Sequence, residues 1–219
     1  MPESKLLDKE SAKKALELLK KEYPGAKEIL KFSNPLEMMV AIILAARSRD
    51  ETVNKCTTEI FKHYTTAKDY ANANPKDILK HIHGILFAGN KVASIIKACK
   101  LIEERHGGKV PNSMEELVEL PGIGRKSANT ILINAFGIAE GIPVDTHVNR
   151  VSLRLGLSKS AKPDEMELDL MRLVDRKDWG RIAYAIKFHG RAVCQAPTPI
   201  CSKCTLNKIC PKNGVTANK

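Results

Sequence analysis

Cys194, Cys201, Cys204 and Cys210 follow one another with the spacing C-x6-C-x2-C-x5-C. Four thiols within 17 positions can converge on one centre, because each intervening loop is short and closes cheaply. Two disulfides would satisfy them, although thiols inside a cell are kept reduced. Structural Zn(Cys)4 is a second chemistry, but it usually places two C-x2-C knuckles well apart in sequence, and only Cys201 to Cys204 is such a knuckle. A [4Fe–4S] cluster also takes four thiolates and tolerates irregular spacing. Cys56 and Cys99 fall on apolar helix faces and read as packed core residues.

A second group lies in mid-chain. Leu120-Pro121-Gly122-Ile123-Gly124 separates two short helical patterns, and two alternate glycines predict a sharp turn with positive φ. Bare N–H groups at the following helix start attract anions such as phosphate. A helix, LPGIG and then the basic start Arg125-Lys126 resemble the helix-hairpin-helix of DNA-binding proteins, which grips backbone without reading sequence. Pro121, Gly122, Ile123 and Gly124 are therefore candidate DNA contacts. Lys126 falls in the first turn after the hairpin, where the helix dipole disfavours a cation. A partly desolvated amine there is either a phosphate contact or a nucleophile toward an electrophilic sugar carbon. Asp145, in Val144-Asp145-Thr146-His147, is either a helix N-cap or a carboxylate that stabilises positive charge on a deoxyribose ring.

The elements that must position these residues read as helices almost throughout. Ala12, Ala15, Leu16 and Leu19 recur at helical spacing before Tyr23-Pro24-Gly25. Further helices are predicted over Pro35–Ala46, from Asp50 with Val53, Cys56, Ile60 and Phe61 on one face, and along Ile95–Ile102 to His106-Gly107. Ser113–Leu120, Arg125–Phe136, Asp145–Leu155, Asp164–Leu173 and Asp178–Phe188 complete an all-α fold. From Cys194 onward the chain holds four lysines and no acid, and too few apolar residues for a core of its own.

Of 219 residues, 36 are Lys or Arg and 25 Asp or Glu, a net charge of +11. A basic compact chain is drawn to a polyanion, most commonly nucleic acid. No dense basic run or basic amphipathic helix points to a membrane surface instead. Aromatic residues are 5% of the chain, too few for a stacking sheet that reads single-stranded RNA. No run approaches the ~20 apolar residues of a membrane span. The start MPESKLLDKESAKK lacks the apolar core and cleavage site of a secretory signal, which predicts an intracellular protein.

Three elements then coincide in order: LPGIGRKSANTILINAFG over 120–137, VDTHVNRV over 144–151, and the cysteine spacing preceded by Phe188-His189-Gly190-Arg191. From about Leu16 to Pro211 the chain resembles the endonuclease III family, helix-hairpin-helix glycosylase/lyases that remove oxidised pyrimidines. The resemblance implies a six-helix barrel domain with the hairpin over 28–138, and an iron–sulfur cluster domain built from 1–27 and 139–219. It implies a [4Fe–4S] cluster on Cys194, Cys201, Cys204 and Cys210, Lys126 as nucleophile and Asp145 as essential aspartate. The implied partner is double-stranded DNA with a damaged base or abasic site, met by a monomer in a prokaryotic cytoplasm, at the nucleoid. Adenine-specific mismatch glycosylases lack a lysine at this hairpin position, so Lys126 favours the bifunctional reaction.

Two positions depart from the family pattern. Arg47 stands where a glutamine usually helps fill the gap left by the flipped base, and is read as a plug or a phosphate contact. The loop Gly84-Ile85-Leu86-Phe87 replaces a Gly-Leu-Tyr-Asn type, with Phe87 the first choice of intercalating wedge and Leu86 the second, and core packing the alternative for either. Arg191, Lys203, Lys208 and Lys212 are candidate phosphate contacts, and Arg49 and Lys91 add charge near the wedges. Two alternatives fit part of the pattern. One is a monofunctional mismatch or uracil-type glycosylase, the other a zinc-stabilised module that only binds duplex DNA.

Overall fold

The structure, a computed structural model, describes residues 5–219. The first four residues of the stretch read for a signal, which also open the expected 1–27 segment, lie outside the described residues. The described residues are helical, with no strand, as the apolar periodicity predicts. None of their helices is long and apolar enough to cross a membrane. The chain divides into two compact units, one made of the chain through Glu28 with Gly141–Lys219, the other of Ile29–Glu140. Each unit has its own apolar core.

In the unit Ile29–Glu140 the helices are α2 (Pro35–Ala45), α3 (Asp50–His63), α4 (Ala67–Asn72), α5 (Pro75–Leu79), α6 (Ala88–His106), α7 (Met114–Glu119) and α8 (Arg125–Ile131). Helix α2 is the central one. Asn34 caps it by accepting from the Glu37 N–H, Pro35 occupies its first turn, and every residue from Met38 to Leu44 is buried. A helix apolar on all sides needs neighbours on all sides, and α3, α6 and α8 pack against it. Truncating a residue such as Leu44, which is fully buried, to Ala would cost roughly 2–5 kcal/mol. Cys56 and Cys99 are buried in this core, as their apolar faces predict. The helix begun at Arg125 widens into a π-helical turn over Leu132–Phe136 and stops at Gly137, whose φ of 69° is left-handed.

The other unit holds α1 (Lys9–Glu22), α9 (Thr146–Leu155), α10 (Pro163–Leu173) and α11 (Trp179–Ala192). The stripe Ala12, Ala15, Leu16 and Leu19 is buried, and α1 packs on α11 and α10. Gly190 lets α9 approach α11 closely, since a Cβ there would stand 3.1 Å from both His147 Cβ and Val151 Cγ2. The cysteine-rich tail joins this core through Leu206, buried, with Cys194, Cys204, Ile209 and Cys210 packed against it.

Candidate active site and cysteine loop

The hairpin is built on α2 and α6. The Ile123 N–H donates to the Leu120 carbonyl at 3.0 Å and closes the turn. Gly122 has φ 88°, and a Cβ on it would meet Ser94 Cβ at 3.1 Å and Ile43 Cγ2 at 3.5 Å. Both the left-handed backbone and the close approach require glycine. Gly124 differs from expectation. It is extended, with φ −105° and ψ 175°, because it is the N-cap of α8 and the turn is already completed at Gly122. Pro121 is half-buried and Ile123 buried, so Gly122 and Gly124 form the exposed rim.

Lys126 is the second residue of α8. It is exposed, where the sequence predicted partial desolvation, because the inner face of this short helix is taken by Ala128, Asn129, Thr130 and Ile131.

Two further loops sit beside the ends of α2 and α6. Helix α2 ends at Ala45, earlier than the sequence pattern indicated, since the Ser48 N–H turns back to the Ala45 carbonyl at 3.0 Å. Arg47 is therefore in a turn rather than a helix, exposed, with φ 54°. In the other loop Ile85 is buried, whereas Leu86 is 57% and Phe87 62% exposed. A core role for either is excluded. Phe87 precedes α6 with φ 56°.

Lys91 does not add surface charge, as its sequence position had indicated. Only 8% exposed, its ammonium donates to the carbonyls of Leu44 (2.8 Å) and Ala46 (2.5 Å) and to Ser48 Oγ (3.0 Å). Burial pushes it below the ordinary lysine value. Arg49 is exposed.

In the other unit Asp145 is the N-cap of α9. Its Oδ1 accepts from the His147 and Val148 N–H groups, each at 2.8 Å, and no described residue donates to Oδ2. The cap thus fixes the carboxylate through one oxygen. His147, held below its ordinary value by burial, also feels the charges of Asp145, Arg150, Arg191 and Lys187. Arg150 joins α9 to the cysteine loop, donating to the Gly190 carbonyl at 2.8 Å and the Cys194 carbonyl at 3.1 Å.

Cys194, Cys201, Cys204 and Cys210 line one pocket, whose wall is otherwise largely apolar, with Val151, Leu155 and Leu206 among its residues. Among the described residues no three His, Cys, Asp or Glu side chains converge closely enough to hold a single metal ion. Burial pushes the Cys204 thiol up to about 11 and raises that of Cys210. Polar groups nevertheless reach the sulfurs. His189 Nε2 is 3.5 Å from Cys204 Sγ, the Lys212 N–H donates to Cys210 Sγ at 3.4 Å, and Arg154 lies 3.6 Å from Cys194 Sγ. His189 is buried, and Tyr23 holds its other nitrogen at 3.2 Å. Sequence reasoning gave Arg150, Arg154 and His189 no role. The only signal was that Arg154 sits in the last turn of a helix. Lys203, Lys208 and Arg191 are exposed, whereas Lys212 is half-buried at the pocket with φ 58°.

Residues 40–176 match the model of the HhH-GPD superfamily of base excision DNA repair proteins. The chain belongs to that superfamily. It is 45% identical over 203 residues to endonuclease III of Synechocystis sp., covering 93% of each chain. To endonuclease III of Bacillus subtilis it is 40% identical, covering 86% of each. A solved trapped endonuclease III–DNA covalent intermediate, an estranged-adenine complex, superposes with a TM-score of 0.90 at 35% identity, over 94% of this chain and 97% of that one. A thermostable thymine-DNA glycosylase, 20% identical, shares the fold with a TM-score of 0.81 over 93% of this chain and 96% of that one. HhH-GPD membership and these endonuclease III relatives make the chain a base-excision DNA glycosylase/lyase.

Proposed function

We propose that this base-excision repair enzyme releases oxidised pyrimidines from duplex DNA and then cuts the abasic strand through a lysine Schiff base. The observation that carries this reading is the lysine at position 126, exposed on the first turn beyond the Gly122 hairpin. The damaged nucleotide leaves the stack at a cost of a few kcal/mol, least for a weakly stacked lesion. The Lys126 amine is the nucleophile that the lyase step requires. The Asp145 carboxylate stabilises positive charge on the sugar, with its capping bonds made through Oδ1. The Lys126 amine attacks C1′, the base departs with the C1′–N bond electrons, and the amine loses its proton. The C1′–O4′ bond then breaks as the nitrogen lone pair forms the C1′=N Schiff base and O4′ takes a proton, and this imine acidifies the C2′ proton. Loss of that proton gives an enamine, which re-forms the C1′=N bond as it expels the 3′ phosphate and leaves a C2′–C3′ double bond conjugated to the imine.

Gly122 and Gly124 on the hairpin rim, shaped by Pro121 and Ile123, hold the backbone with Arg191, Lys203, Lys208 and Lys212, while Arg47 and Phe87 enter the duplex. The site on Cys194, Cys201, Cys204 and Cys210 suits a [4Fe–4S] cluster, because four thiols around one pocket match a group larger than a single ion. Held by these four thiolates, a cluster would supply structural cohesion to a tail that lacks its own core. Its charge would favour the thiolates of Cys204 and Cys210, which burial disfavours.

The test uses duplex DNA with one thymine glycol, following base release by chromatography and strand scission without alkali. Both products are expected, formed in parallel. Base release with scission only after alkali would replace this reading with a monofunctional glycosylase.

A further inference from the structure

Lys91 is a buried cation that the proposed chemistry does not use. Helix α2 ends at Ala45 with no basic residue in its last turn, and its final carbonyls have no partner within the helix. Lys91 supplies one from α6. An ammonium has three N–H donors, and here they meet three neutral oxygens, on Leu44, Ala46 and Ser48. No carboxylate is among them. A buried charge is tolerated only when fully hydrogen-bonded, and the negative end of a helix dipole adds to the compensation.

Lys91 also sits in the first turn of α6, where its main-chain N–H makes the first helical bond, to the Phe87 carbonyl at 3.2 Å. Its ammonium therefore ties the turn that follows Phe87 to the carbonyl of Ala46, which is bonded directly to Arg47. Arg47 and Phe87 are two of the three described non-glycine residues with positive φ, at 54° and 56°. Such backbone is costly and persists only where the surroundings over-determine it. Both side chains are exposed, so their own packing does not hold these conformations. The Lys91 bridge is positioned to do so.

We infer that Lys91 is a positioning residue that holds Arg47 and Phe87 as one rigid pair, poised to enter duplex DNA together. The inference rests on the reading that these two side chains enter the duplex. In the absence of the bridge the two turns relax independently, and the DNA-bound complex samples arrangements in which one or both side chains lie outside the stack.

The test uses a duplex with a non-cleavable tetrahydrofuran abasic site opposite 2-aminopurine, whose fluorescence reports unstacking of the orphan base. Protein is added to saturation, checked by anisotropy of an end label. Wild type is expected to change the fluorescence, and Arg47→Ala and Phe87→Ala to diminish that change. Lys91→Met at equal saturation should give about half of the wild-type change or less, as when a held conformation becomes one of several. A change equal to wild type in a saturated Lys91→Met complex would overturn the inference. If that variant does not melt cooperatively, Lys91→Gln, which keeps a donor group, is judged by the same ratio. Wild-type protein that binds without any fluorescence change would instead refute duplex entry by Arg47 and Phe87, and the inference with it.

Discussion

Arg154 donates to the carbonyl of Gln195 at 2.6 Å, from the last turn of α9 to the residue after the first tail cysteine. Its guanidinium also reaches the carbonyls of Pro197 at 3.0 Å and Cys194 at 3.4 Å. Hydrogen bonds from a charged donor contribute about 1.5–3 kcal/mol each. Arg154→Met should therefore loosen the Cys194–Cys201 segment before it unfolds either helical core. Iron per purified chain should drop to about half or less of wild type, while helical circular dichroism is retained. Full iron content in the variant would contradict this role.

The pocket lined by Cys194, Cys201, Cys204 and Cys210 makes a prediction about colour. The purified chain should be yellow-brown with broad visible absorbance and equal amounts of iron and acid-labile sulfide. Oxidative removal of the cluster should bleach it and lower the melting temperature. A colourless protein with one zinc per chain would favour the zinc-stabilised alternative.

Lys203 and Lys208 are exposed on that loop. If each neutralises a phosphate, the slope of log K against log salt should become shallower by about 0.9 per lysine replaced with Ala. An unchanged slope in the double variant would remove both from the DNA contact surface. Lys212 should contribute less, because it is half-buried and its main chain is committed to Cys210.

Lys20 and Asp178 join α1 to the residue before α11, with Nζ and Oδ2 2.7 Å apart. The hydrogen bond from Lys20 holds Asp178 below the ordinary carboxylate value of 3.8. Burial pulls Lys20 down, but its bonds to Asp178 and Glu17 outweigh it and raise it. A carboxylate depressed in the folded state stabilises fully above its unfolded value and loses that contribution as pH falls through its folded one. Urea unfolding should show Asp178→Asn less stable by about 1–2 kcal/mol at pH 7. The difference should shrink below pH 3.8. A pH-independent difference would assign the loss to packing.

The long helices were legible because period and punctuation agreed. Leu16 and Leu19 of α1, or Asn34-Pro35 before α2, state an element and its boundary together. Helices α4 and α5, six and five residues long, escape such reading because neither completes two turns. They are set instead by Thr66 capping and by Pro75. The cysteine grouping was written in the spacing, whereas the Arg154 and His189 contacts to it depend on folding distant segments together. Lys91 was the least legible. By residue type it belongs on the surface, and its partners are main-chain oxygens and a hydroxyl 43–47 residues away that carry no side-chain signature of a cation site.

The central claim concerns one amine, and borohydride trapping tests it most directly. Wild-type protein incubated with thymine-glycol duplex and sodium borohydride should form a covalent protein–DNA adduct. Peptide mapping should place the adduct on Lys126, and Lys126→Gln should abolish it while still binding the duplex. No adduct with wild type, or trapping by Lys126→Gln equal to wild type, would contradict the account.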